Sequence, residues 1–423
     1  MGTTPGDFLR WTVLAGLAAA IAAAGANAEE QTPMSTDTTS VHQQPLYEHQ
    51  GKNYYRIPGL LATTDGTLLA FCQHRKSSVS DHGHDSDNLV RRSTDGGKTW
   101  SPPVVVATSK GVDIHTGPVV QHRRSGRIYK FCRYWPVKNA KAVLASTPYR
   151  QMRERGLIDH VSVSDDDGKT WSAPEPIVLP FPDDARSVGV GNGVHGIQLA
   201  NGDLAIAGGY RQDAGARVNL VLLSSDGGAT WRAGAKDPNA SSIREFIFAQ
   251  LSDGRVYCNF RNNKEGDRRL TSLAPADLSS FGDIRRDRHL PEPVAHAGVN
   301  FIQPTRDRPE GVLLFSNPNV RNVAGRWNKH SRRKMTVRAS LDSGKTWSHA
   351  VELWEGPAAY SDIAVTQEDG AWFVHVLYEQ GDDPEEYARY SKRVVHAKLP
   401  LAALLASPAA DYPPDVIRAD DGE

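Results

Sequence analysis

At 423 residues the chain is long enough for one large hydrophobic core or two smaller ones, and 39% hydrophobic with 8% aromatic residues is a globular composition. Lys plus Arg and Asp plus Glu both number 49, so no global field argues for nucleic acid or a membrane surface, and any recognition of charge has to be local. The three cysteines, Cys72, Cys132 and Cys258, are too few for a disulfide framework and read as buried thiols, although a bridge between Cys72 and Cys132 is conceivable.

The first element is a targeting segment. Arg10 precedes WTVLAGLAAAIAAAGANA, an apolar run of signal-peptide length ending in the small-residue pattern Ala26-Asn27-Ala28. The run is short for a membrane span. Residues 1–28 are therefore expected to direct export and be removed, implying a secreted or periplasmic protein. Residues 29–45 follow as a polar, disordered lead-in, and no later segment is apolar enough for a stable membrane span.

From residue 46 to 400 the pattern is strand, polar turn, strand, with residues 401–423 left as a tail. Hairpins appear in turn at RIPGLLATTDGTLLAFC, GPVVQHRRSGRIYKFC, HGIQLANGDLAIAGG, FIFAQLSDGRVYCNF, NFIQPTRDRPEGVLLFS and SDIAVTQEDGAWFVHVLY. QMRERG (151–156) is the one stretch that suggests a short helical turn. Interleaved with the hairpins is a second repeat, Ser-x-Asp-x-Gly-x-Thr-Trp, at 93–100, 164–171, 224–231 and 340–347. Its Asp can cap nearby backbone N–H groups, its Gly permits positive φ, and its Trp packs as the chain re-enters a strand. A degenerate copy near Ser272–Gly282 fills the longest gap. Six units, each able to hold four strands, predict an all-β, six-bladed β-propeller with Asp-box repeats.

In such units the hairpin turn and the Asp-box lie at one end. The start of each first strand and the end of each second strand lie at the other. Arg56 and Tyr360 precede their turn glycines by ten residues, and Arg75 and Glu379 follow theirs by nine, so all four belong to the second rim. His82, His84, His115, His195 and His296 fall near it too. Together these histidines admit a metal or an imidazole base, but each alone reads as a loop or core residue, and no metal or cofactor is assigned.

Tyr-Arg-Ile-Pro (55–58), the Arg75…Asp81 spacing, Tyr-Ser-Asp (360–362) and Leu-Tyr-Glu (377–379) resemble the sialidase (neuraminidase) family of propellers, over roughly Tyr54 to Leu399. The resemblance implies three arginines that clamp a sugar carboxylate: Arg56, then Arg268 (or Arg269) from NFRNNKEGDRRL, then Arg332 (or Arg333) from HSRRKMTVRAS. It also implies Asp81 as a general acid/base with a raised pKa, Tyr360 as nucleophile, and Glu379 as the residue that pins Arg56. Where the family has a Glu that takes the tyrosine proton, the matching text is Gln250-Leu251-Ser252-Asp253-Gly254, and an amide cannot act as a base. Glu245 fits another family position, and Glu265 and Glu310 are possible substitutes. The implied activity is exo-acting release of terminal α-linked sialic (nonulosonic) acid with retention. The changed residue leaves two alternatives open. One is a related, possibly His-dependent, lyase or hydrolase for another acidic glycan such as a uronic-acid polysaccharide. The other is a non-catalytic carbohydrate-binding propeller.

Overall fold

The computed structural model describes residues 40–410 except 109, 192–193, 213–215, 238–242, 264–266, 307, 321–331 and 383–390. The signal-peptide reading and Glu265 lie outside the described residues. Nearly all the regular structure is antiparallel sheet. The first sheet contains Asn53–Ala62, Leu68–Lys76, Ser86–Ser93 and Val104–Ala107, and the second Val112–Gln121, Ile128–Pro136, Asp159–Ser164 and Glu175–Pro176. In the third, Arg186–Val190 and Ile197–Gln198 both pair with Leu204–Gln212, followed by Ala216–Ser224 and Arg232–Asp237. The fourth is Ile243–Gln250, Val256–Asn262, Arg268–Ala274 and Arg285–Pro291.

The remaining strands form one seven-stranded sheet. Gly298–Ile302, Val312–Pro318, Arg333–Ser340 and the long His349–Glu368 pair in chain order. His349–Glu368 then continues into Ala371–Gln380, Arg393–Pro400 and finally His42–Glu48. The N-terminal strand thus closes on the last C-terminal strand, with His42 opposite Lys398 and Tyr47 opposite Val394. Residues 42–45 of the expected lead-in are therefore strand, their backbone completing a sheet edge. At the other end, Leu401–Ala406 is a short helix whose Leu401 and Leu404 are buried, so the expected tail contributes to the core. Helices Ala140–Ser146 and Tyr149–Glu154 occupy the loop where one helical turn was expected.

Central strands such as Leu68–Lys76 read as continuous apolar runs because both of their faces are covered. Successive sheets bury Phe131, Leu204, Ile206, Leu220 and Leu222 between them. The Asp-boxes act as hooks between sheets. In the second, Asp166 accepts from the Thr170 N–H at 2.9 Å and from its hydroxyl at 2.6 Å, and Ser164 Oγ accepts from Gly168 N–H. Gly168 has φ 77°, and a Cβ there would meet Leu69 of the first sheet at 2.7 Å, so the turn lies flush against its neighbour. Trp171, Trp231 and Trp347 pack edge-on against Phe71, Phe131 and Tyr257 of the preceding sheet. Trp100 does the same against His396 of the last strand pair. The degenerate copy occupies the matching turn, where Asp277 caps Ser279 N–H. All three cysteines are buried and free.

A cavity of about 620 Å³ at the hairpin-turn end is lined by residues from six segments, among them Thr63, Gln121, Gln198, Gln250, Gln303 and Val365. No helix among the described residues is long and apolar enough to cross a membrane.

Candidate active site

The opposite rim is built on irregular backbone. The ladder slips between Arg56 and Gly59, Ile243 and Phe246, and Ala358 and Ser361. Such bulges turn side chains out of the strand's alternation. Here they bring Arg56, Glu245 and Tyr360 toward one point. Ile57, between Arg56 and Pro58, is held at φ 59°, a region that costs a β-branched residue on the order of 1–3 kcal/mol. Its N–H is taken by Glu379 at 2.9 Å, which helps to hold the bend.

Glu379, at the end of its strand and fully buried, organises the rim. Its carboxylate accepts Arg56 Nε at 2.8 Å and Nη2 at 3.0 Å, as well as the N–H groups of Ile57 and Tyr360. This bidentate pair fixes the guanidinium plane. The remaining Arg56 nitrogen, Nη1, points to Asp81 at 3.4 Å.

Tyr360 lies in the middle. Its hydroxyl donates to Glu245 Oε1 at 3.0 Å and accepts from Arg261 Nη1 at 2.8 Å, while the same Arg261 nitrogen reaches Glu245 Oε2 at 2.7 Å. The guanidinium carbons of Arg56, Arg332 and Arg261 stand 5.6, 5.5 and 5.9 Å from the Tyr360 ring centre. Burial and the Glu245 charge push the phenol upward against the pull of Arg261 and Arg332. Burial alone would raise Glu245, but Arg261 and His296 hold it at about 2. A protonated phenol therefore faces an ionised carboxylate already aligned to take its proton.

Asp81 is carried on a loop, its side chain 62% exposed, and bonds Arg75 Nη1 at 3.0 Å. Arg75 is buried and also binds the carbonyls of Val79 and Ser80, so it shapes the loop and orients the carboxylate. The sequence reading expects a raised acid. Burial does push Asp81 up, but Arg75 and then Arg56 outweigh it and hold the carboxyl well below its ordinary range.

Two sequence-derived positions are corrected. Gln250 is not at this rim. Its Oε1 accepts Ala200 N–H at 2.7 Å and its Nε2 donates to Gly254 O at 2.8 Å and Ala276 O at 3.4 Å. It lines the turn-end cavity, at the far end of the strand that begins with Glu245, because it directly precedes the hairpin turn. The carboxylate beside Tyr360 is Glu245. Likewise Arg268 is not in the arginine cluster. It lies half-buried on the third strand of its sheet and donates to Arg288 O at 2.7 Å. Its alternative, Arg269, is buried against Glu292 at 3.0 Å and Ala295 O at 2.8 Å, beneath the loop that touches Tyr360. The cluster's third guanidinium is Arg261, which the sequence reading passed over within the same segment. Arg332, also in the cluster, donates to Val294 O at 2.6 Å.

The five histidines do not converge on one point: His195 pairs with Asp362 at 2.8 Å, the His296 ring lies tilted at 6.1 Å from that of Tyr360, and His82, His84 and His115 gather near Asp113. Glu310 is exposed in a turn.

The sequence profile described as BNR repeat-like domain matches residues 66–376. The chain is 32% identical over 367 residues to a sialidase of Micromonospora viridifaciens, covering 80% of this chain and 53% of that protein. It is 27% identical over 339 residues to a sialidase of Bacteroides fragilis, covering 77% and 60%. The chain thus spans little more than half the length of these curated relatives. Among solved structures, a Hadza microbial sialidase superposes with a TM-score of 0.70 at 26% identity, over 83% of this chain and 66% of that one. An intramolecular trans-sialidase from Ruminococcus gnavus, at 16% identity, shares the fold with a TM-score of 0.69 over 86% and 99%.

Proposed function

Because this chain belongs to the BNR-repeat family of sialidases, we propose that it is a retaining, exo-acting glycoside hydrolase that releases terminal α-linked sialic acid through Tyr360. The observation that carries this reading is the Tyr360–Glu245–Arg261 triangle, with contacts of 3.0, 2.8 and 2.7 Å inside an arc of three arginines. Arg56, Arg261 and Arg332 receive the sugar carboxylate. A neutral phenol approaches such an anionic substrate without the repulsion a carboxylate nucleophile would meet. Tyr360 Oη bonds to the anomeric carbon as its proton passes to Glu245, and Asp81 protonates the departing glycosidic oxygen. Water then displaces the tyrosine, with Asp81 taking the water's proton and Glu245 returning the tyrosine's. Two inversions give retention. Substrate carboxylate bound at Arg56 offsets the charge that now holds Asp81 down, which favours its protonated form.

The six segments around the turn-end cavity support a six-bladed reading, with His349–Glu368 shared by the fifth and sixth blades. The Ala-rich N-terminal run supports export to the periplasm or beyond. The reading is tested with a fluorogenic α-sialoside. The wild type is expected to release fluorophore, and Tyr360→Phe to lower kcat by about 10³-fold or more with the fold intact. Unchanged release by that variant, or none by concentrated wild type, overturns it. With Glu245 beside the tyrosine, the non-catalytic alternative loses the observation on which it stood.

A further inference from the structure

We propose that His82, Asp113 and His115 form a site for a single zinc-like divalent ion, which ties the loop carrying Asp81 to the neighbouring sheet. His82 Nδ1 and His115 Nε2 are 3.1 Å apart, and His115 Nε2 is 3.5 Å from Asp113 Oδ2. The three donor atoms lie within 4.8 Å of one another. Ligands held about 2.0–2.2 Å from a tetrahedral ion are separated from each other by about 3.3–3.5 Å, so two of these edges already have nearly the required length.

The carboxylate is built in advance. Asp113 is fully buried, accepts Gly83 N–H at 3.1 Å and Ser86 Oγ at 3.0 Å, and so presents Oδ2 in a fixed direction. The two imidazoles are half-buried, which leaves an approach from solvent. Trp135 packs against both rings, tilted at 4.4 Å from His82 and stacked at 4.1 Å on His115, and limits their rotation.

A second observation points the same way. His84 is buried, and its Nε2 is 2.6 Å from Ser80 O, where only an N–H can be accommodated. Its Nδ1 has no hydrogen-bond partner among the described residues and faces Asp113 Oδ1 at 4.0 Å. A buried imidazole nitrogen thus stands without a hydrogen bond beside the carboxylate that the ion would share.

Two imidazole nitrogens and one carboxylate oxygen select zinc or a similar transition ion over calcium or magnesium, which require mostly oxygen donors. His82 belongs to the loop, while Asp113 and His115 sit on the strand Val112–Gln121 of the second sheet. A bound ion therefore adds a metal bridge between two elements already joined by the Gly83 N–H to Asp113 hydrogen bond. The inference concerns binding alone and does not depend on the proposed reaction.

The test uses the untagged full chain, stripped with chelator and titrated with Zn²⁺ by calorimetry, with Co²⁺ as spectroscopic probe. The expected result is one Zn²⁺ per chain, intense visible absorption from four-coordinate Co²⁺, and slower hydrogen exchange in residues 77–85. Affinity is expected to fall at least about tenfold in His82→Ala and in His115→Ala. His82→Ala alters only a half-buried loop side chain, so it reports even if His115→Ala disturbs the packing on Trp135. No Zn²⁺ uptake, unchanged affinity in the folded His82→Ala chain, or equal affinity for Ca²⁺ overturns the proposal.

Discussion

Glu245 and Gln250 sit on one strand, five residues and roughly 17 Å apart at about 3.4 Å per residue. They make opposite predictions under mutation. In Gln250→Glu the new carboxylate keeps the acceptor for Ala200 N–H but loses the donors to Gly254 O and Ala276 O. It also brings a charged oxygen up to those carbonyls. Net hydrogen-bond contributions of about 0.5–1.5 kcal/mol each put the loss of the two at about 1–3 kcal/mol, which lowers the melting temperature by several degrees. Turnover is expected to stay within about twofold, since nothing changes at the rim. Glu245→Gln, by contrast, preserves shape next to Tyr360 and removes the proton acceptor. General-base contributions of about 10²–10⁴-fold set the expected fall in kcat. Both variants are assayed with the fluorogenic sialoside well below their melting temperatures. A gain of about tenfold or more in Gln250→Glu, or near-normal turnover in Glu245→Gln, refutes the assignment of the base to Glu245.

The arginine correction makes a similar contrast. Arg268→Ala is expected to leave kcat/KM within about twofold, whereas Arg261→Ala unpairs a buried Glu245 and removes a carboxylate contact, lowering kcat/KM by about 10²-fold or more. Comparable effects of the two on sialoside hydrolysis would contradict the geometry. Acid sensitivity is expected from His375 and His396, buried rings whose nitrogens are 3.0 Å apart, with His42, Lys398 and Glu368 around them. Burial first, then His396 and Lys398, holds His375 far below its usual value, and burial with His42 and Lys398 holds His396 at about 3. The unfolded chain takes up these protons near pH 6.5 and the folded chain does not, so stability is full above that pH and falls below it. The slope approaches about 2.7 kcal/mol per pH unit for two protons. Urea midpoints compared at pH 7 and pH 5 measure it, and a His375→Gln/His396→Gln chain is expected to show a flatter dependence.

The architecture was legible because its signals are local. Each Asp-box is a self-contained turn in which Ser, Asp, Gly and Thr satisfy one another, as Ser93, Asp95, Gly97 and Thr99 do. Four such turns alternating with hairpins leave little room for another fold class. The closing strand was not legible. His42–Glu48 is short and polar at its start, and its partner Arg393–Pro400 is more than 300 residues away, so no local pattern marks it. Nor does any local pattern announce that Leu401 and Leu404 are core. A six-residue helix has too few positions to display a period.

The site was legible where a residue's role depends on sequence neighbours and obscure where it depends on register. Arg56 and Tyr360 carry motifs of their own. Glu245 and Arg261 carry none, yet the hairpin between them encodes both. Counting outward from the Ser252-Asp253-Gly254 turn, Gln250 faces Val256, Ala249 faces Tyr257, and the ladder runs unbroken to Phe246 opposite Phe260. The next step outward places Glu245 beside Arg261, an opposite charge pair flanking two aromatic residues in otherwise apolar strands. The same count puts Glu245 nine residues before its turn glycine, close to the ten that separate Arg56 and Tyr360 from theirs. Gln250 precedes its glycine by only four, which assigns it to the turn end. A match to a short text, Gln-Leu-x-Asp-Gly, identified the turn correctly but not the base. In a strand the distance from the turn decides which end of the molecule a side chain reaches, and here that distance separates a packing amide from the carboxylate bonded to Tyr360.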